Sequence, residues 1–356
     1  MKIKMGLISV GMLMLMLNML PVSAAQIACS GLAYVNAPNS SDTCLSLGGT
    51  DTYNGILRQG TSDIGILFLH GRGQDPNGDV VRQLRNSLNA DGYTTLSIEN
   101  PVPPGGTSFS NYAINEDLID NQVFTRVEVA LEELKARNVN RVVLAGFSLG
   151  SRFAVASAAA WQLNQLNTSG LNVVGLLGVG LYSSGPDSTV ANIDVLNTIS
   201  NLSFITSIPV LDIFGNNDTP ASSTAALRKA SYRGPNYTQV ALTCPDSAGN
   251  YFAQTATGVT PYYGATGDAN RCHQLRNGLL FDPGTNTYIT DVVLRGAPDA
   301  PLETTARNWF SSNFAAVPEP QTWLLLMFGL LGMGFIRQNK RLSGSRAWRV
   351  SLTGCC

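Results

Sequence analysis

The chain has 356 residues with 23 basic and 24 acidic side chains, so its net charge sits near zero. No basic face of the kind nucleic acids require can be drawn from that balance. With 44% hydrophobic and 13% charged residues, the composition excludes a disordered chain and allows a substantial core.

The first residues read as an export signal rather than as part of the fold. Lys2 and Lys4 form a basic start, Met5 to Leu20 is apolar, and Val22-Ser23-Ala24 offers a small-residue cleavage site. An uncleaved anchor is the alternative. Residues 1–24 are thus expected to be removed, leaving a domain over 25–314 and a separate tail over 315–356. Setting aside the seven basic residues of the two ends leaves 16 basic against 24 acidic side chains, about −8 for the segment from Ala25 to Ile336. The body holds Cys29, Cys44, Cys244 and Cys272. An even number in an oxidising compartment suggests disulfides. Nearness in sequence favours Cys29–Cys44 and Cys244–Cys272, against free buried cysteines. No C-x-x-C spacing points to zinc.

From Thr61 onward, strand patterns alternate with helical ones. Ile64 to Leu69 is a continuous apolar strand. Val80, Val81, Leu84 and Leu88 recur at helical spacing, with Gly92 as the stop. Tyr93 to Ile98 reads as a strand. Val123, Val127, Leu131 and Leu134 mark an amphipathic helix with Arg126, Glu128, Glu132, Glu133 and Lys135 outward. Val142 to Ala145 is a short buried strand, and Arg152 to Leu163 an alanine-rich helix. Strands follow at Val173–Val179, Ile208–Phe214 and Tyr237–Leu242, and a final helix carries Leu302, Ala306, Trp309 and Phe310 after Pro301. Strands separated by helices predict an α/β protein with a mostly parallel central sheet and helices on both faces. The stretch before Thr61 is expected to add antiparallel edge strands.

Between the Val142 strand and the alanine-rich helix lies Gly146-Phe147-Ser148-Leu149-Gly150. In a chain with 35 glycines a G-x-S-x-G pentapeptide alone is weak, but the strand before it and the helix after it lift it. That strand–turn–helix context resembles the nucleophile elbow of the α/β-hydrolases. The resemblance covers about Thr61 to Phe314 and implies the α/β-hydrolase fold with Ser148 as nucleophile. A serine hydroxyl needs a base within hydrogen-bond reach and an acid to orient it. Only His70 and His273 can be that base. His70 stands in His70-Gly71-Arg72-Gly73 after a strand, where the family shapes its oxyanion loop and the imidazole bonds within the loop. His273 lies beyond the last sheet strand, where the family carries its catalytic histidine. Asp218, in Gly215-Asn216-Asn217-Asp218, matches the family's strand–Gly-x-x-Asp pattern, and Ser148, Asp218, His273 is the family's chain order. Asp218 could instead cap the helix starting near Ala221, and Asp212 is a weaker rival for the acid.

The resemblance implies oxyanion donors at the backbone N–H groups of Leu149 and Arg72. The Arg72 side chain is left open between orienting Asp75, contacting an acidic substrate group and solvation. The turn at His70–Gly73 and Gly146-Phe147-Ser148 also look like the phospholipase/carboxylesterase branch. An insertion between Cys244 and Cys272 carries Tyr251, Phe252, Tyr262 and Tyr263 and is either part of a substrate pocket or surface decoration.

At the other end, Val317-Pro318-Glu319-Pro320 precedes an apolar stretch from Trp323 to Ile336 and then Arg337, Lys340, Arg341, Arg346 and Arg349. This order resembles the PEP-CTERM sorting signal of Gram-negative bacteria. The resemblance implies an exosortase partner and transient anchoring in the inner membrane. A plain membrane anchor is the alternative.

The expectation is therefore an exported serine hydrolase, most simply a carboxylesterase acting on a small-molecule or polymer ester through Ser148, Asp218 and His273. No cofactor, metal or nucleic acid is implied. A peptidase or thioesterase could use the same three residues, and a non-catalytic surface or matrix-binding module could keep the fold without turnover.

Overall fold

The computed structural model describes residues 24–34, 36–48, 51–183, 195–216, 218–242, 273, 280–282, 287–289 and 301–314. In chain order the body runs β1 (Ala25–Ile27), a 3-10 turn at Cys29–Gly31, β2 (Thr43–Leu47), β3 (Tyr53–Arg58), β4 (Ile64–Leu69), α1 (Asp79–Ala90) and β5 (Thr94–Ile98). It continues with α2 (Phe109–Ile114), α3 (Glu116–Ala136), β6 (Arg141–Phe147), α4 (Leu149–Gln162), β7 (Asn172–Val179), α5 (Thr198–Phe204) and β8 (Val210–Gly215). The short helices α6 (Thr219–Ser223) and α7 (Ala225–Ser231) precede β9 (Tyr237–Leu242). The hairpin strands β10 (Leu280–Asp282) and β11 (Thr287–Ile289) and the helix α8 (Pro301–Asn313) complete the described elements.

Among the described residues one nine-stranded sheet has the order β1-β2-β3-β5-β4-β6-β7-β8-β9. Strands β4 to β9 pair in parallel, while β1, β2 and β3 form the antiparallel edge expected before Thr61. Strands β4 and β6 are buried on both faces, which is why Ile64–Leu69 and Val142–Ala145 read as unbroken apolar runs rather than alternating ones. Alternate residues divide between the faces. Leu67, Leu69, Leu96, Ile98, Val142 and Leu144 join one core with Val123, Val127 and Leu131 of α3 and Phe153 of α4. The intervening Ile66, Phe68, Val143 and Ala145 are equally buried and point the other way. On that side α1 packs on β4, β5 and β6.

Two outward assignments on α3 are corrected. Glu133 is buried, because its carboxylate accepts from Arg137 at 2.6 Å and from the Ala24 N–H at 3.2 Å. Arg126 is half-buried, bridging Asp51 (2.8 and 3.0 Å) and the Glu99 carbonyl (2.9 Å) with its guanidinium over the Tyr53 ring. Ala24, Asp51 and Glu99 arrive from remote segments, so helical spacing alone gave no sign of them, whereas the Glu133–Arg137 pair is at i,i+4 spacing.

The antiparallel edge is fastened twice. A disulfide joins Cys29 to Cys44, with Cα atoms 5.3 Å apart. Near it the buried Asp42 carboxylate accepts from Arg85 (2.6 and 3.2 Å) and Arg58 (2.9 Å). Burial alone would raise the Asp42 pKa, but the Arg85 hydrogen bonds and charge outweigh it and hold the carboxyl below its usual range. The other expected pair, Cys244–Cys272, and the aromatic insertion between them lie outside the described residues. So do residues 1–23 and 315–356, with the apolar stretch Trp323 to Ile336. Among the described residues no helix is long and apolar enough to cross a membrane, and the expected transmembrane helix has no support there.

Of the second unit, which begins at Phe310, the described residues are 310–314, where the Phe310 and Phe314 rings stand 5.5 Å apart.

Candidate active site

Because β4, β6, β7 and β8 are parallel, the segments leaving them emerge at one edge of the sheet, where open α/β sheets place their ligands. His70 follows β4, Ser148 follows β6, Gly180 to Tyr182 follow β7, and Asp218 follows β8.

The turn at Ser148 is tight for identifiable reasons. Ser148 has φ +54° and ψ −118°, a conformation that L-residues rarely adopt. Its N–H donates to the Val179 carbonyl at 2.8 Å, and its own carbonyl accepts from the Ser151 N–H at 3.0 Å and hydroxyl at 2.5 Å. Both flanking glycines are required by contact. A Cβ on Gly146 would lie 2.2 Å from the Gly150 carbonyl oxygen, and one on Gly150 would lie 2.1 Å from that of Leu69. Strand β4 and helix α4 therefore touch backbone to backbone beneath the serine. Although Ser148 stands at the N-cap of α4, its hydroxyl makes no capping bond and is directed elsewhere.

It meets His273. Ser148 Oγ lies 2.6 Å from His273 Nε2, and His273 Nδ1 lies 2.7 Å from Asp218 Oδ2. A carboxylate can only accept, so the neutral imidazole carries its proton on Nδ1 and Nε2 accepts from the serine hydroxyl. Asp218 is fully buried, while the His273 side chain is 21% exposed. Asp218 occupies the N-cap position of α6, yet makes no side-chain capping bond. The capping alternative is therefore not what its carboxylate does.

Asp212, the rival acid, is engaged elsewhere. It is wholly buried in mid-strand, accepting from Arg228 (2.9 and 3.2 Å), the Tyr237 hydroxyl (2.8 Å) and Gln239 (2.8 Å). His70 is likewise occupied. The Asn100 N–H donates to its Nε2 at 2.9 Å, so Nδ1 carries the proton and donates to the Gly71 carbonyl at 2.8 Å. Burial lowers its pKa and keeps it neutral.

The imidazole of His273 is held by groups that the sequence did not single out. The Phe147 ring lies 5.4 Å from it, tilted, and the Tyr182 ring lies 6.0 Å away, edge-on. Gly180, at φ +60°, closes a third side: a Cβ there would meet His273 Cε1 at 3.1 Å. Phe147 is the variable second residue of the pentapeptide, and Tyr182 simply follows a strand, so neither carried a local signal.

Leu149 opens α4, and the first N–H groups of a helix lack intrahelical acceptors. The loop bearing Arg72 abuts the elbow, since a Cβ on Gly71 would lie 2.9 Å from the Phe147 ring. The segments that carry Leu149 and Arg72 therefore adjoin. The Arg72 guanidinium lies over the Phe109 ring, 3.8 Å from its centroid. Among the described residues no cluster of three or more His, Cys, Asp or Glu side chains is placed to hold a metal ion.

An antiparallel edge leading into parallel strands ordered β5-β4-β6-β7-β8-β9, with His70, Ser148 and Asp218 at their ends, decides the architecture. The fold is that of the α/β-hydrolases.

Three solved structures illustrate the likeness. A dienelactone hydrolase from Anabaena variabilis is 18% identical with a TM-score of 0.41, over 57% of this chain and 85% of that one. Est1E from Butyrivibrio proteoclasticus is 14% identical with a TM-score of 0.39, over 62% and 88%. A cold-adapted esterase from an Arctic intertidal metagenomic library is 13% identical with a TM-score of 0.42, over 58% and 86%. Curated protein sequences give no match. The family model of the PEP-CTERM protein-sorting motif matches residues 316–341, the segment whose Pro-Glu-Pro, apolar run and basic cluster suggested it. That motif implies export in a Gram-negative bacterium and processing by an exosortase.

Proposed function

We propose that the chain is an exported serine hydrolase acting on ester bonds, a carboxylesterase in reaction type. One observation carries the reading: the unbroken path Asp218 Oδ2, His273 Nδ1, His273 Nε2, Ser148 Oγ, with spacings of 2.7 and 2.6 Å. In this reading Ser148 Oγ bonds to the ester carbonyl carbon as its proton passes to His273 Nε2. The same proton then goes to the departing alkoxide, leaving an acyl-enzyme. Water, deprotonated by His273, releases the acid and restores the serine. Asp218 holds the Nδ1–H tautomer and stabilises the imidazolium. The N–H groups of Leu149 and Arg72 receive the developing oxyanion, each worth about 3 to 4 kcal/mol. The C-terminal segment anchors the protein in the inner membrane until exosortase cleavage, with residues 1–24 already removed.

A fluorophosphonate probe tests the chemistry. Labelling of the wild type, lost in Ser148→Ala and His273→Ala, is expected together with hydrolysis of para-nitrophenyl esters. Absence of wild-type labelling would sink the reading. Turnover of peptide or thioester panels in preference to esters would move the bond class.

A further inference from the structure

The Arg72 side chain is exposed, and its guanidinium carbon lies 3.8 Å from the Phe109 ring centroid. It makes no hydrogen bond or ion pair with a described residue, and Asp75, its nearest acidic neighbour in sequence, accepts instead from the Asn77 N–H at 2.7 Å. A lone surface arginine normally samples many rotamers, and fixing one carries an entropic cost. Here the ring beneath holds the guanidinium plane while leaving its edge donors open.

That ring leads directly to the reacting centre. Phe109 stands edge-on to Tyr182 at 5.8 Å, and Tyr182 stands edge-on to His273 at 6.0 Å. A second guanidinium, that of the buried Arg152, lies 5.1 Å from the centroid of the Tyr182 ring. Two cations thus flank the two rings beside the imidazole, in a body whose net charge, these two included, is about −8. Val102, Ile114 and Leu118, on the same stretch of chain as Phe109, are exposed apolar residues.

We infer that Arg72 is a specificity-determining residue whose guanidinium seats a carboxylate carried by the substrate. The inference rests on the proposed serine-hydrolase reading and narrows its substrate class to anionic esters. The Arg72 backbone N–H faces the acyl oxygen in that reading, so the anion sits within one side-chain length of the scissile carbonyl. A planar fork of N–H donors matches the two oxygens of a carboxylate.

The test compares matched ester pairs that differ only in charge. On the acyl side the pair is mono-para-nitrophenyl adipate and para-nitrophenyl methyl adipate. On the alcohol side it is the butyrate esters of para-hydroxybenzoate and of methyl para-hydroxybenzoate. Wild-type kcat/KM is expected to favour the anion at least about tenfold in one pair, which also tells the side on which the carboxylate is carried. Arg72→Gln should bring that ratio to about one, Arg72→Lys should keep part of it, and added salt should shrink it. Because the readout is a ratio within each variant, a general loss of activity cancels. Wild-type ratios at or below one in both pairs overturn the inference, as does a preference that Arg72→Gln leaves intact. Fluorophosphonate labelling of the same preparations separates the two levels. Labelled enzyme without charge preference overturns the anion seat alone, and unlabelled wild type overturns the hydrolase reading with it.

Discussion

At Ser148 the backbone stores strain that the side chain does not relieve. A conformation at φ +54° and ψ −118° costs a residue with a Cβ about 1 to 3 kcal/mol, and glycine far less. Ser148→Gly and Ser148→Ala both remove the hydroxyl, but only the first removes the Cβ. The glycine variant is expected to be more stable than the alanine variant by about 1 kcal/mol in urea denaturation, after the extra chain entropy of glycine is counted. Equal stability would show that the elbow is unstrained. His70 makes a second residue-scale prediction. Burial lowers its pKa from 6.5 in the folded protein, so below about pH 6.5 the unfolded chain binds a proton that the folded chain resists. Stability is therefore fully present above that pH and declines as pH falls beneath it, with a slope of up to about 1.4 kcal/mol per pH unit from this one group. His70→Gln should flatten the slope between pH 7 and 5, a change read from urea midpoints across that range. The two histidines were separable in the sequence because each sits in a distinct chain context. The aromatic clasp of Phe147 and Tyr182 was not, since it arises only when segments from different strands meet.

Among the elements, the parallel strands and the long helices were legible because burial on one or two faces leaves a periodic imprint. Tyr237–Leu242 and the helix after Pro301 appear where the apolar pattern placed them. Helices α2 and α5 were not read. Phe109–Ile114 and Thr198–Phe204 are short and rich in Ser, Asn and Thr, and are started by the side chains of Ser108 and Asn197, which accept from Asn111 N–H and Ser200 N–H. The linkage of α7 to β8 was hidden for a different reason, as it depends on a wholly buried ion pair. Arg228 reaches from α7 to Asp212 and to the Ala221 carbonyl at 2.7 Å. Arg228→Met leaves the Asp212 carboxyl, whose pKa burial already raises, buried with only Tyr237 and Gln239 as partners. A loss of about 3 to 5 kcal/mol is expected in equilibrium denaturation. A loss below 1 kcal/mol would mean that the two polar neighbours suffice.

The molecule as a whole combines a parallel sheet whose contacts span long sequence separations with an antiparallel edge held by covalent and ionic fasteners. The Cys29–Cys44 bond closes a short loop, with a sequence separation of 15. In the chain-entropy account such a loop contributes about 3 kcal/mol by restricting the unfolded chain. The double variant Cys29→Ser, Cys44→Ser should lose about that much, and reduction of the wild type should reproduce the loss. Unchanged thermal stability after both treatments would show that Asp42, Arg58 and Arg85 hold the edge unaided. This fastening was half legible: cysteine count and spacing suggested the bridge, whereas the buried carboxylate beside it needed Arg85 from a helix 43 positions further on.

Ser148 and His273 stand 125 positions apart and meet only once strands from both halves of the sheet are in place. A chain still threading through a membrane as an extended polymer cannot bring them together. The chemistry proposed for Ser148 therefore has to wait until both halves of the sheet have folded.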